Sequence, residues 1–200
     1  DFLPPLLEHF GDPSVCSVGC KILDPDRQRV QMARTLGHFC SGLLEPVCLI
    51  EQFLEPDSLG PQPTLYTPGG ACAVDRLKFL ELGGFHRLLY PIYSEDVDLG
   101  YSAWRRGWRN VYDPRSVVVH QHAATTSRLF TREWLERTKL KNKLMVTLKN
   151  VSDRRILRQF VRSCGWLARQ GIRTRWGWQL AALGQLLLGL PDVRRYRANL

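Results

Sequence analysis

The sequence has few methionines, no paired metal-binding cysteines and few acidic residues in its second half. Met32 and Met145 are its two methionines, and it opens on Asp1 without the charged, apolar and small-residue succession of a secretory leader. That opening predicts a processed, excised or fragmentary chain. The six cysteines, at 16, 20, 40, 48, 72 and 164, form no CxxC pair, which argues against a zinc ribbon or disulfide framework and for reduced thiols in a cytosolic protein. An uncharged stretch over 176–190 runs fifteen residues and contains Gln179 and Gln185, short of the ~20 apolar residues of a bilayer span. At 44% apolar and 24% charged over 200 residues, wholesale disorder and a polytopic membrane protein are excluded.

Charge divides the chain. Residues 1–100 carry seven Lys+Arg against fourteen Asp+Glu, and the second hundred carries twenty-one against five. From Arg128 onward the count is seventeen basic to four acidic. A basic half of this kind suits phosphates, on a membrane surface or on nucleic acid, and the acidic half argues against a simple nucleic-acid clamp.

Periodicity predicts an α/β organisation. Phe2, Leu3, Leu6, Leu7 and Phe10 fall at helical spacing before a stop at Gly11, and 15–23 reads as a strand closed by Asp24-Pro25-Asp26. Glycines and prolines break the pattern over 31–63, which reads as loops and short elements. Residues 65–74 are strand-like around Gly69-Gly70, and 75–82 form a short helix ended by Gly83-Gly84. The clearest helix of the first half covers 94–107, with Ser94 as cap, Glu95 and Asp96 in its first turn and Gly107 at its end. A strand follows over 116–122, placing His120 and His122 on one side. Helices are then predicted over 131–150 and 153–170, the second a basic amphipathic one. The 176–190 stretch reads either as an interfacial segment or as part of a helical hairpin packed on the domain.

Three carboxylates, Glu95, Asp96 and Asp98, crowd the start of the 94–107 helix. One of them can accept a proton from a bound hydroxyl, and such residues also occur simply as partners of the helix dipole. His120 and His122 offer two imidazoles, too few to define a metal site. Trp108, just past the Gly107 stop, is free to stack on a sugar ring, whereas Trp104 lies on the apolar stripe.

The ordered set Gly69-Gly70-Ala71, Leu82-Gly83-Gly84-Phe85, Tyr93-Ser94-Glu95-Asp96-Val97-Asp98-Leu99, Arg106-Gly107-Trp108, Tyr112-Asp113-Pro114 and Val119-His120 resembles the second half of an inverting family 2 glycosyltransferase, nearest its rhamnosyltransferase-like branch. The resemblance covers residues 1–127, and 140–153 resembles the helix that follows. It implies a partial GT-A (Rossmann-like) fold over 1–127 and leaves 128–200 as a basic helical region. It implies hexosyltransferase-like transfer from a nucleotide-sugar donor to a glycan or lipid-linked acceptor, in cell-envelope polysaccharide synthesis. Asp96 matches the general base, Glu95 its neighbour, and Asp98 a residue that orients the helix or acceptor. Gly69, Gly70 and Ala71 match the loop near donor sugar and acceptor, and Trp108 belongs to the same substrate-binding set. His120 matches a histidine that helps hold a divalent metal, Mg²⁺ or Mn²⁺, on the diphosphate.

Departures accompany it. His86 and Arg87 stand where the family has Asp and Glu, and Ser102 where many relatives have Arg. The Asp-x-Asp metal motif belongs before residue 1, so the resemblance predicts a fragment with little activity by itself. The implied location is cytoplasmic, peripheral on the inner face of the plasma membrane and without nucleic acid. A non-catalytic remnant, or a membrane- or nucleic-acid-binding module, remains the alternative.

Overall fold

The computed structural model describes residues 1–49, 60–121, 126–174 and 177–198, with an α/β part and a helical C-terminal region. His122 lies outside the described residues. Two compact units share the chain: Asp1–Gly37, Pro46–Phe85 and Glu95–Ala123 form one, and His38–Glu45, His86–Ser94 and Ala124–Leu200 the other.

The first unit is built around β1 (Val15–Leu23), a strand with no charge before Lys21 and therefore buried on both faces. Short helix α1 (Leu3–Leu7), with prolines in its first turn, sets Leu6 into a core with Val15, Val18, Cys20, Ile22, Ala71 and Val111. The helix is shorter than the heptad-like spacing of its leucines predicts, and Phe2, Leu3 and Leu7 stay exposed. One edge of β1 pairs in parallel with β7 (Arg109–Val119), and the other pairs antiparallel with β2 (Val30–Met32) and with β6 (Cys72–Val74). The short β5 (Gln62–Pro63) closes the far side of β7, giving the order β2-β1-β7-β5.

β7 starts earlier than the predicted 116–122 strand because Asp113-Pro114 bulges inside the strand instead of ending it. Cys20 pairs with Asp113 and Lys21 with Val117, so the register slips there. Asp113 is fully buried yet accepts from His9 at 2.8 Å and from Arg115 at 2.7 Å. Burial alone raises its pKa, but Arg115 and His9 reverse that and hold it below the usual carboxylate value. Helix α2 (Arg76–Glu81) starts where Asp75 accepts the Lys78 N–H at 2.9 Å, and Gly83 and Gly84 follow it at positive φ, as predicted.

Residues 31–49 hold more order than the broken pattern suggests. β3 (Thr35–Cys40) and β4 (Leu43–Cys48) form a hairpin whose two-residue turn, Ser41-Gly42, has positive φ at both positions. That is a type I′ turn, matched to the twist of paired strands.

The second unit is mostly helical. After the short α4 (Thr126–Leu129) come α5 (Arg132–Asn150), α6 (Arg154–Thr174) and α7 (Gly177–Ala198), close to the predicted 131–150 and 153–170 and extending the uncharged stretch. Thr131 caps α5, and Asp153 caps α6 by accepting the N–H groups of Arg155 and Ile156. α7 buries Gln179, Ala182, Leu186, Gly189 and Val193, a stripe repeating every seven residues, and packs on α5. The uncharged segment is therefore a packed helix, and no helix among the described residues is long and apolar enough to cross a membrane.

Two short segments sit on these helices. The 38–45 hairpin tip is fastened by Leu44 N–H to Thr147 Oγ1 at 3.1 Å and by Ser163 Oγ donating to the Ser41 carbonyl at 2.6 Å. Segment 86–94 is held by Asn142 Nδ2, which donates to the carbonyls of Leu89, Ile92 and Tyr93 at 2.7–2.9 Å, and by Lys141 Nζ on Leu88 O at 2.7 Å.

At the hairpin tip a Cβ on Gly42 would lie 2.7 Å from the Ile156 oxygen and run into the backbone of Gln159 and Phe160, on a residue with φ +79°. Gly42→Ala is expected to cost about 3 kcal/mol from left-handed strain and overpacking, read as a lowered urea midpoint with unchanged slope.

Candidate active site

The site grows from α3 (Glu95–Arg105) in the first unit. Its sequence carries acid in the first turn and Arg105 in the last, the order the helix dipole favours. Val97, Leu99 and Ala103 are buried, and Trp104 Nε1 donates to the Thr64 carbonyl at 3.0 Å. Gly100 decides how near the helix lies. A Cβ there would stand 2.5 Å from Tyr66 Cβ and 2.7 Å from the Leu65 carbonyl oxygen.

Asn110 on β7, 1% exposed, joins the same parts. Its Nδ2 donates to Gly100 O at 2.9 Å and Leu65 O at 3.0 Å, while its Oδ1 accepts from Ser17 Oγ on β1 at 2.8 Å. The 64–66 segment, so fixed, runs on into a tight turn at Pro68-Gly69-Gly70-Ala71, closed by Ala71 N–H to Pro68 O at 3.0 Å. Ala71 is buried and its carbonyl accepts from Cys20 N–H, while Gly70 is exposed with nothing within 4 Å of a would-be Cβ.

Gly69 faces Asp96. The Asp96 carboxylate accepts from Val97 N–H at 2.8 Å and also from the Gly69 backbone. Burial pushes its pKa up from 3.8 to about 6, the neighbouring Glu95 pushes the same way, and the N–H groups of Val97, Gly69 and Asp96 itself oppose. Glu95 Oε2 is buried and has no hydrogen-bond partner among the described residues. The result is a carboxylate poised to take a proton near neutral pH beside an open glycine turn.

The structure thus brings together Asp96, Glu95 and the 69–71 turn. Asp98, 2% exposed, is buried in the helix base. Trp108 has Lys78 Nζ 5.8 Å from its ring centroid, and His120 stands exposed at the end of β7 with Nδ1 3.4 Å from Gln31 Oε1. No group of three His, Cys, Asp or Glu side chains among the described residues could hold a metal ion. His120 by itself offers one donor, so these residues do not fit a divalent cation without further ligands.

Sequence reasoning missed Gly100, Asn110 and Tyr66. A glycine inside an amphipathic helix signals a close approach and could have exposed Gly100. Tyr66, whose hydroxyl is pushed to a higher pKa by burial and by Asp96, and Asn110, in a β-strand, carry no comparable local signal.

No family profile matches the chain. Over 128 residues it is 30% identical to the N-acetylglucosaminyl-diphospho-decaprenol L-rhamnosyltransferase of Mycobacterium tuberculosis, in strain CDC 1551 / Oshkosh and in strain ATCC 25618 / H37Rv. The match takes in 58% of this chain and 40% of that enzyme, so the chain spans about two fifths of the length of the curated relatives it matches. Among solved structures, the crystal structure of GalNAc-T7 with UDP, GalNAc and Mn²⁺ aligns with a TM-score of 0.49 at 21% identity, covering 73% of this chain and 28% of that one. The chain is a homologue of a curated rhamnosyltransferase, as its resemblance to the family 2 glycosyltransferases implies.

Proposed function

We propose that these residues form the acceptor side of a glycosyltransferase that moves a sugar from a nucleoside-diphosphate donor to a hydroxyl with inversion, and that Asp96 is its general base. The observation that carries the reading is the Asp96 carboxylate seated against the Gly69-Gly70 turn at the head of α3, where burial raises its pKa. In the proposed step the ionised Asp96 takes the acceptor hydroxyl proton as that oxygen attacks the anomeric carbon. The carbon–oxygen bond to the nucleoside diphosphate breaks on the opposite face, and the diphosphate leaves with the electron pair. Glu95 adds negative charge that keeps the base strong, and the exposed Gly70 backbone leaves room for a sugar. Asp98, buried below, orients the helix. Trp108 remains a candidate for stacking on an acceptor ring.

The name of the mycobacterial relative supports a lipid-linked saccharide diphosphate as the class of acceptor and a deoxyhexose as the class of transferred sugar. Such an acceptor would fit a role in cell-envelope polysaccharide synthesis. The test is release of nucleoside diphosphate from a panel of nucleotide sugars, with and without such an acceptor, by the full protein containing these residues. Turnover independent of acceptor hydroxyls would overturn it.

Asp96→Asn is expected to lower the rate by roughly 10²- to 10⁴-fold. In the unsubstituted protein kcat/KM rises with pH through about 6 and levels above it, since the base must be ionised. The same shift has a stability sign. A carboxyl whose folded pKa is raised stabilises the fold below about 4 and loses that contribution as pH rises through about 6. Asp96→Asn should therefore raise the Tm at pH 7, by the equivalent of roughly 2–3 kcal/mol, and leave it near the parent value at pH 4. Gly100→Ala should shift both the melt and the activity, with a cost of about 3 kcal/mol and an Asp96 displaced from Gly69.

A further inference from the structure

The helical unit carries an apolar groove of about 560 Å³ between α6 and α7, lined by Leu157, Val161, Cys164 and Ala168 from the first helix and Leu183 and Leu187 from the second. Its rim stays in water: Val161 is 67% exposed, Leu187 64%, and Ile172, one turn beyond Ala168, 69%. On a helix that advances about 100° per residue, the row Leu157–Val161–Ala168–Ile172 is bordered directly by Arg158, Arg162, Arg169 and Arg173. All four arginines are exposed, and no acidic side chain among the described residues pairs with Arg162, Arg169 or Arg173.

We propose that this face of α6 and α7 docks on an anionic phospholipid bilayer, with the groove taking the upper part of an acyl chain and the arginine row meeting the headgroup phosphates. Charge complementarity selects this occupant. A nucleic acid would neutralise the arginines and leave the exposed Val161, Ile172 and Leu187 in water. A second copy of the face would cover the groove while setting one arginine row against another. A bilayer with anionic headgroups satisfies both halves at one depth, since guanidinium groups reach the phosphates while their stems lie along the acyl boundary. The reading stands apart from the glycosyl-transfer proposal, and its test needs no sugar donor.

The experiment is cosedimentation of the full chain with vesicles of phosphatidylcholine alone and of phosphatidylcholine with one third phosphatidylglycerol, across a salt series. Binding is expected on the anionic vesicles, weakening with salt, and not on the neutral ones. At about fivefold per basic residue near such a surface, Arg162→Gln with Arg169→Gln should reduce partition by roughly twenty-five-fold. Val161→Asp with Leu187→Asp should abolish it at all salt concentrations. All four positions are exposed, so an unchanged circular-dichroism melt is expected, and the arginine pair keeps the test decisive if the aspartates perturb folding. The proposal is overturned if the chain stays in the supernatant at low salt, or if both double variants bind vesicles like the parent. It is also overturned if the variants change only retention on duplex DNA, or only the oligomeric state in sedimentation.

Discussion

The seat of α3 on the 64–66 segment is the constraint on which the placement of Asp96 in the first unit depends. It exists because Gly100 has no side chain to hold the two backbones apart and because Asn110 bonds both of them from β7. Asn110 is in turn tied to β1 through Ser17, so the parallel pair at the centre of the sheet, the glycine turn and the helix carrying Asp96 form one chain of contacts. A buried amide with its donor and acceptor both used is stable where it is and costly to disturb. That rigidity lets a carboxylate sit partly desolvated beside an open turn without collapsing onto it.

Much of this was legible from residue pattern and some was not. The helices α3, α5 and α6 follow from apolar spacing, caps and glycine stops, signals that act within a few residues. β1 is legible as an apolar run, charged only at Lys21, closed by a turn. The β3–β4 hairpin was hidden because Gly37, Gly42 and Pro46 interrupt its alternation, although Ser41-Gly42 supplies the turn it needs. The start of β7 is hidden because Asp113-Pro114 usually ends a strand, and here His9 and Arg115, distant or unpatterned in sequence, satisfy the buried carboxylate. The same reason hides Asn110: its partners are Ser17, Leu65 and Gly100, and nothing local announces them. Asp96 and Gly69 could be brought together beforehand only through the ordered motifs of a known family, since periodicity says nothing about which turn faces which helix.

The basic excess of the second half separates into two kinds of arginine. Arg197 donates to the carbonyls of Leu148 and Val151 and so ties the end of α7 to the end of α5, while Arg195 lies 3.5 Å from Asp192 of its own helix. The α6 row has a different character, exposed along one edge and adjoining apolar surface. A net charge counted from composition merges the two, although one kind is used within the fold and the other faces outward.

The buried stripe of α7 advances by three and four residues in turn, from Gln179 through Ala182, Leu186 and Gly189 to Val193. Its register against α5 therefore renews itself only after a whole heptad. An insertion of seven residues within the stripe would lengthen the helix pair while keeping the same side chains inward, whereas an insertion of two would turn everything beyond it by about 200° and bring Leu187 or Leu188 to the wrong side. Length change in this pair is thus restricted to insertions that close on nearly whole turns, a rule set by the packing of two helices.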